Sequence, residues 1–127
     1  MMLSVLDTSV LIATGVESIP GQLAISVVSV AELQFGVLVA PSDQQRAHRL
    51  ARLTGIMRVF EPLPVDGAVA ASYAEIAAAT HRAGRKSSAR SLDLMIAATA
   101  LAHGARLVTA NVADVEHLSE IVEIVRA

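Results

Sequence analysis

Hydrophobic positions in this chain form two patterns, short runs that suit buried strands and longer stretches with helical spacing. The short runs predict five strands, at 3–6, 23–27, 58–60, 106–109 and 121–125. The helical stretches predict helices at 29–40, 42–54, 66–83 and 91–103. Because strands and helices alternate along the chain, the pattern predicts an α/β domain with a mainly parallel sheet and helices on both faces.

Local signals indicate where the predicted helices begin and end. Ser29 is followed three residues later by Glu32, which is the spacing of a capping box. This spacing predicts that the helix 29–40 begins at Ser29. Pro41 is predicted to end that helix, because proline cannot continue one. Gly84 and Gly104 are predicted to end the last two helices.

Length and composition narrow the classes of protein that fit. The 127 residues suit one domain, spanning 1–127. Hydrophobic residues make up 54% of the chain, but charges interrupt every run before the roughly 18 residues that cross a bilayer, so a soluble protein without a membrane span is expected. Asp7 interrupts the first apolar run, which argues against an export signal. The absence of cysteine excludes disulfides and thiolate sites and is consistent with a cytoplasmic location.

Four acidic residues occur where an apolar run meets or opens a predicted helix, namely Asp7, Glu32, Asp93 and Asp114. The carboxyl ends of parallel strands lie along one sheet edge, so Asp7, Glu32 and Asp114 are expected to be neighbours, and the chemistry depends on whether Asp93 joins them. Two carboxylates about 4 Å apart repel by roughly 4 kcal/mol at an effective dielectric near 20, and they must take up protons or bind a cation. Oxygen ligands without cysteine favour Mg²⁺ or Mn²⁺, whose natural chemistry at such a site is phosphodiester hydrolysis.

Each acid also fits a purely structural role. Asp7 could cap a helix that starts at Thr8 or Ser9, and Glu32 could complete the capping box. Asp93 and Asp114 could each be a first-turn acid that complements the helix dipole. The segment after Asp93 is apolar nearly all round, however, and a buried acid needs a partner.

Four blocks of sequence, taken in order, resemble the PIN-domain ribonucleases, particularly the VapC-type toxins of bacterial toxin–antitoxin pairs. The blocks are LDTSVLI, SVVSVAELQFGV, LDLMIAATALAHG and LVTANVADV, and the resemblance extends over nearly the whole chain. It implies a five-stranded parallel sheet flanked by helices. It also matches Asp7, Glu32 and Asp93 to the family's first three metal-binding acids. Asp114 matches the fourth, a position for which Asn111 competes because either could reach the same strand end.

The resemblance further implies Mg²⁺- or Mn²⁺-dependent endonucleolytic cleavage of RNA, with water as the nucleophile and products bearing 5′-phosphate and 3′-hydroxyl ends. The acids would hold the cation, and Asp114 would complete the acidic rim or position the attacking water. Polar support is expected from Thr8, Thr109 and Asn111. The implied partners are an RNA substrate, a cognate VapB-type antitoxin and a second copy of the chain.

A net charge of −2 gives no overall attraction to a polyanion, so RNA binding would need a local basic patch. Two groups of basic residues are candidates for such a patch. The first group surrounds the segment RKSSARS, predicted to be a loop, and consists of Arg82, Arg85, Lys86 and Arg90. The second recurs on one face of the predicted helix 42–54 and consists of Arg46, Arg49 and Arg52. Both groups also fit the ordinary solvated surface of a helix or helix end.

Two other functions are compatible with parts of the pattern. One is a catalytically silent PIN-like module that binds RNA or a protein, against which the trio Asp7, Glu32 and Asp93 argues. The other is a phosphatase with Asp7 as nucleophile, because Asp-Thr-Ser follows a predicted strand. The wider motif does not support a phosphatase, since no second aspartate lies two residues after Asp7 and no Gly-x-x-x-x-Gly-Lys loop is present.

Overall fold

The computed structural model describes residues 2–13 and 19–127. Its strands are β1 Leu3–Leu6, β2 Gln22–Ala24, β3 Arg106–Thr109 and β4 Ile124–Arg126. Its helices are α1 Thr8–Ile12, α2 Val27–Leu38, α3 Asp43–Val59, α4 Gly67–Arg82 and α5 Ser91–Ala102. Short 3₁₀ turns occupy Ser88–Arg90, Val112–Asp114 and Glu116–Leu118.

The strands form one parallel sheet in the order β2-β1-β3-β4. The central pair is β1 and β3, in which Leu6 lies beside Val108. Because all the strands run the same way, the residues that follow them gather at one edge of the sheet. That edge is where α/β proteins place their ligands.

Alternate residues of the central strands enter two separate hydrophobic clusters. Val5 and Leu107 belong to the cluster that contains the buried residues of α4 and α5. Leu6 and Val108 belong to the cluster formed with α1, α2 and α3. Helices therefore cover both faces of the sheet, and the predicted fold class is confirmed.

The predicted number of strands was wrong, since four strands rather than five form the sheet in the described residues. The predicted strand 58–60 is instead the end of α3, which continues to Val59. Gly55 lies inside α3 but does not end it, and no proline follows before Pro62, so residues 58 and 59 remain helical and exposed. The predicted strands 23–27 and 121–125 overlap β2 and β4 at only two residues each, 23–24 and 124–125, and Val27 already belongs to α2.

The predicted capping box at Ser29 was also wrong. Helix α2 begins at Val27, and the side chain of Ser26 caps it by accepting a hydrogen bond from the backbone N–H of Val28 at 3.0 Å. Ser26 therefore takes the capping role that the sequence spacing gave to Ser29. Ser29 lies inside the helix, where its hydroxyl is fully buried and available to a different partner.

The other helix signals agree with the structure. Asp66 caps α4 by accepting from the backbone N–H of Val69, and Gly84 follows this helix with φ of +75°. Gly104 follows α5 with φ of +61°, a conformation that favours glycine. The predicted loop RKSSARS contains the turn Ser88–Arg90. In the described part of the chain, no helix is long and apolar enough to span a membrane.

Candidate functional site

The four predicted acids lie at the carboxyl edge of the sheet. Asp7 directly follows β1, and Asp114 ends the 3₁₀ turn that follows β3. Glu32 lies in the second turn of α2, and Asp93 lies in the first turn of α5. The parallel topology therefore brings together residues that are up to 107 positions apart in the sequence, the separation of Asp7 and Asp114.

Asp7 is oriented by two hydroxyl groups that bind the same carboxylate oxygen. Thr109 and Ser9 donate hydrogen bonds to Oδ2 of Asp7 at 2.8 and 3.0 Å. Each hydroxyl in turn accepts a hydrogen bond, Thr109 from the backbone N–H of Asn111 and Ser9 from that of Ala110. Asp7 occupies the N-cap position of α1 but makes no side-chain cap bond, so its carboxylate is not used for capping.

The second oxygen of Asp7, Oδ1, accepts no hydrogen bond from the part of the chain that the structure describes. It is therefore available to a ligand. Ser9 had not been singled out from the sequence as a support for Asp7. Its position in Asp-Thr-Ser directly after a strand was the signal that could have identified it.

Glu32 is held by a short chain of hydroxyl groups. Thr8 donates its hydroxyl hydrogen to Oε1 of Glu32 at 2.7 Å. Because Thr8 has one hydroxyl hydrogen, the hydroxyl of Ser29 must donate to Thr8 across their 2.8 Å separation. Ser29, whose spacing to Glu32 suggested a cap, thus acts on Glu32 through Thr8.

Asp93 experiences the charges of the other acids. Its pKa is raised above the usual value, first by burial and then by the negative charges of Asp7 and Glu32. Arg90 lowers the pKa of Asp93, and Asp114 raises it. Each of the other three acids therefore lies close enough to Asp93 to influence its pKa.

Asp114 is paired with a cation from the same chain. Nη1 of Arg90 lies 2.8 Å from Oδ2 of Asp114 and 3.9 Å from Oδ2 of Asp93. Asn111 lines the same small cavity as Asp7, Asp93 and Asp114, so both candidates for the fourth position reach the acidic centre. The cavity has a volume of about 10 Å³, which is roughly the space of one water-sized sphere.

The donor set suits a hard divalent cation. All the candidate ligands offer oxygen, and the hydroxyl bonds to Asp7 and Glu32 leave one oxygen of each carboxylate free within the described structure. Among the described residues, no three acidic or histidine side chains are arranged as a ready-made metal cage. Mg²⁺ does not need such a cage, because it keeps several waters and binds through one or two carboxylates. The residues present therefore fit a hydrated cation.

The first predicted basic group lies partly against the acidic centre. Arg85 donates hydrogen bonds to the backbone carbonyl groups of Asp114 and Ala113 at 3.2 and 3.3 Å. Arg85, Lys86 and Arg90 line one cleft with Asp114. Arg82 is exposed near the end of α4 and does not line this cleft.

Comparison with known proteins identifies close relatives. The model of the PIN domain family matches residues 4–120. Ribonuclease VapC5 of Mycobacterium tuberculosis (strain ATCC 25618 / H37Rv) is 41% identical over 113 residues, which cover 83% of this chain and 80% of that protein. Ribonuclease VapC8 of M. tuberculosis (strain CDC 1551 / Oshkosh) is 37% identical over 99 residues, covering 75% of this chain and 88% of the relative.

A solved structure gives a full-length match. The crystal structure of VapBC-5 from M. tuberculosis, a member of the VapBC family of toxin–antitoxin systems, contains a chain that is 38% identical to this one. The two superpose with a TM-score of 0.86, and the match covers 100% of both chains. The likeness therefore covers the whole fold.

Proposed function

Since this chain belongs to the PIN domain family, we propose that it is a metal-dependent endoribonuclease and the toxin of a VapBC-type toxin–antitoxin pair. The observation that carries the proposal is the convergence of Asp7, Asp93 and Asp114 on one small cavity at the sheet edge, with Glu32 bonded to Thr8, the neighbour of Asp7. Relatives named as VapC ribonucleases support RNA as the substrate.

Asp7, Glu32 and Asp93 would hold Mg²⁺ or Mn²⁺, directly or through water, and Asp114 or Asn111 would complete the site. When bound, the cation supplies positive charge that attracts the scissile phosphodiester and favours deprotonation of the attacking water. Thr109, Ser9 and Thr8 keep the carboxylates in place, so that little reorganisation is needed when RNA binds.

In the proposed reaction, a water oxygen attacks the phosphorus and the bond to the 3′ oxygen breaks. The products carry a 5′-phosphate and a 3′-hydroxyl group. No side chain becomes covalently attached, and hence Asp7 is assigned the role of a ligand rather than that of a nucleophile. The basic residues Arg82, Arg85, Lys86 and Arg90 are the candidates for holding the RNA strand.

The test is cleavage of total cellular RNA by the purified protein with Mg²⁺, with Mn²⁺ and with EDTA. Discrete fragments with 5′-phosphate ends are expected with at least one of the metals and not with EDTA. The variants Asp7→Asn and Asp93→Asn should each lose at least about 100-fold in rate, since outer-shell changes at metal sites alone cost about 10–100-fold. Asp43→Asn is the matched control, because Asp43 is exposed and paired with Arg46.

The contrary outcome has a defined meaning. RNA binding without cleavage under any of these conditions, unchanged in both acid variants, would replace this proposal with the catalytically silent module. Trapping of a phosphorylated Asp7 would instead identify a phosphatase.

We also propose that the chain binds a VapB-type antitoxin and forms a homodimer. The antitoxin is supported by the matching solved chain, which comes from a VapBC toxin–antitoxin system. The homodimer rests on the family resemblance alone. Affinity purification of the chain co-expressed from its native operon should recover a small partner. Light scattering of the chain purified without that partner should give twice the mass of one chain. Recovery of an unaccompanied monomer would contradict both statements.

A further inference from the structure

A second cleft adjoins the acidic centre on its Glu32 side. It lies between α2 and α3 and has a volume of about 360 Å³. Its lining includes Thr8, Glu32, Leu33, Gly36, Arg49 and Arg52. Glu32 therefore contributes to this cleft while its carboxylate is held by Thr8, the residue next to Asp7.

The three arginines along α3 have different surroundings. Arg46 pairs with Asp43 at 2.9 Å and lies outside the cleft. Arg49 is half-buried and donates a hydrogen bond to the backbone carbonyl group of Gly36 at 2.7 Å, which ties α3 to α2. Arg52 is also half-buried in the cleft wall, and it forms no ion pair with any residue in the described ranges.

Among the described residues, the two guanidinium groups in this cleft are faced by the single carboxylate of Glu32, which leaves an excess of positive charge there. Guanidinium groups bind phosphate oxygens through charge-assisted hydrogen bonds. An anionic ligand therefore suits this cleft better than a neutral or cationic one.

The position of the cleft favours an extended anionic ligand such as a nucleic acid strand. A cleft of about 260 Å³ that contains Arg85, Lys86 and Arg90 shares Asp114 with the acidic centre, whereas the cleft between α2 and α3 contains Glu32. Because β1, which leads to Asp7, lies between β2 and β3 in the sheet, positive charge adjoins the row of acids at both ends. A nucleic acid strand that crosses the acidic centre would meet cations in both directions from the bond that is cut.

We propose that Arg52, assisted by Arg49, binds a phosphate group of the RNA substrate in the cleft between α2 and α3. The inference rests on the proposed ribonuclease function. It adds the course of the RNA strand, with this phosphate on the Glu32 side of the scissile bond. Arg52 is assigned to substrate binding and not to the chemical step.

The test measures binding of a fluorescent oligouridylate of about 12 nucleotides to Asp93→Asn protein, in which the RNA stays uncut. Arg52→Gln should weaken binding roughly tenfold, as expected for a lost charge-assisted hydrogen bond. The slope of the logarithm of affinity against that of salt concentration should fall by about 0.7 for the lost phosphate contact. Arg52→Lys should restore part of the affinity, because it keeps the charge.

Arg46→Gln is the matched control, since it removes the same charge from the same helix outside the cleft. In the cleaving protein, Arg52→Gln should raise KM while leaving kcat nearly unchanged. For Arg49→Gln, RNA binding and melting temperature are both measured, because loss of the hydrogen bond to Gly36 loosens the contact between α2 and α3.

Equal weakening by Arg46→Gln and Arg52→Gln would overturn the proposal and indicate a general charge effect. If Arg52→Gln bound RNA as tightly as the parent protein while the native protein cleaved RNA, the phosphate site in this cleft would be overturned. The ribonuclease function would be unaffected. If that variant lost the co-expressed antitoxin instead, the cleft would be assigned to the protein partner. Absence of cleavage by the native protein would contradict the ribonuclease function itself.

Discussion

Asp7 depends on residues from both ends of the chain for its orientation. Its Oδ2 accepts hydrogen bonds from Ser9, two residues away, and from Thr109, which is 102 residues away. Thr109 is 1% exposed, so its hydroxyl is a buried group with fixed partners. Such an arrangement fixes the carboxylate of Asp7 beside the cavity that it lines with Asp93.

The variant Thr109→Val tests this support. Valine has nearly the same shape but removes the donor to Asp7 and the acceptor for the N–H of Asn111. We expect the rate of RNA cleavage to fall by about 10–100-fold. The free energy of unfolding should fall by about 1–3 kcal/mol, because two part-buried hydrogen bonds, each worth about 0.5–1.5 kcal/mol, are lost. Initial rates and urea unfolding measure both effects, and exposed Thr54→Val should change neither.

Asp93 is expected to reduce stability in the absence of a cation. An aspartate whose pKa is raised by folding destabilises the folded state above that pKa, and the penalty disappears as pH falls below the unfolded value of about 3.8. Asp93→Asn should therefore raise the melting temperature at pH 7 in EDTA, by about 1–3 °C for a chain of this size. A lower melting temperature would show that the carboxylate is structurally required. Asp43→Asn should produce no increase.

At the scale of elements, the start of α2 is determined by a buried cap. Ser26 is completely buried and accepts from the backbone N–H of Val28, while Ser42 caps α3 at an exposed position. Ser26→Ala should lower the free energy of unfolding by about 1–2 kcal/mol, and Ser42→Ala by about 0.5–1 kcal/mol. Urea unfolding of the two variants compares them directly. Equal losses would indicate that burial of Ser26 adds nothing to its cap.

His117 connects α4 to the turn Glu116–Leu118. Thr80 already donates its hydroxyl hydrogen to the carbonyl group of Ile76, so Nε2 of His117 must carry a hydrogen and donate to Thr80 at 2.9 Å. Nδ1 then faces Arg85 at 3.4 Å as an acceptor. Burial first, and then the charge of Arg85, lower the pKa of His117.

A histidine whose pKa is lowered by folding makes the protein less stable as the pH decreases. Below about pH 6.5 the unfolded chain takes up a proton at this position that the folded protein does not, until pH passes the folded pKa. The free energy of unfolding should therefore decrease as pH falls through this interval, and His117→Gln should weaken the decrease. Urea unfolding at several pH values measures it. Exposed His48→Gln is the control, and an identical pH profile for His117→Gln would contradict the assignment.

At the scale of the whole molecule, a divalent cation should stabilise the fold, because the acids converge from β1, α2, α5 and the turn after β3. A ligand at 100 times its dissociation constant adds about 2.7 kcal/mol to the free energy of unfolding. Thermal unfolding with Mg²⁺ or Mn²⁺ should show this gain, with sodium chloride at equal ionic strength as control. Equal stabilisation of Asp7→Asn would place the ion elsewhere.

Several elements were predictable because their signals are local. The strands 3–6 and 106–109 match β1 and β3, and the helices 66–83 and 91–103 match α4 and α5 within a residue at each end. The strand predicted at 58–60 failed because a short apolar run does not distinguish a strand from the last turn of a helix.

By itself, the sequence determined the α/β class, the order of the acids and their places at strand ends or in the first turns of helices, because hydrophobic period, proline and glycine act over a few residues. Only the tertiary structure decided that Ser26 rather than Ser29 caps α2 and that Arg90 pairs with Asp114. It also decided that Arg52, unlike Arg46, lines a cleft beside Glu32. These outcomes depend on which distant segments pack together, and that choice is made by burial and side-chain geometry across the whole chain.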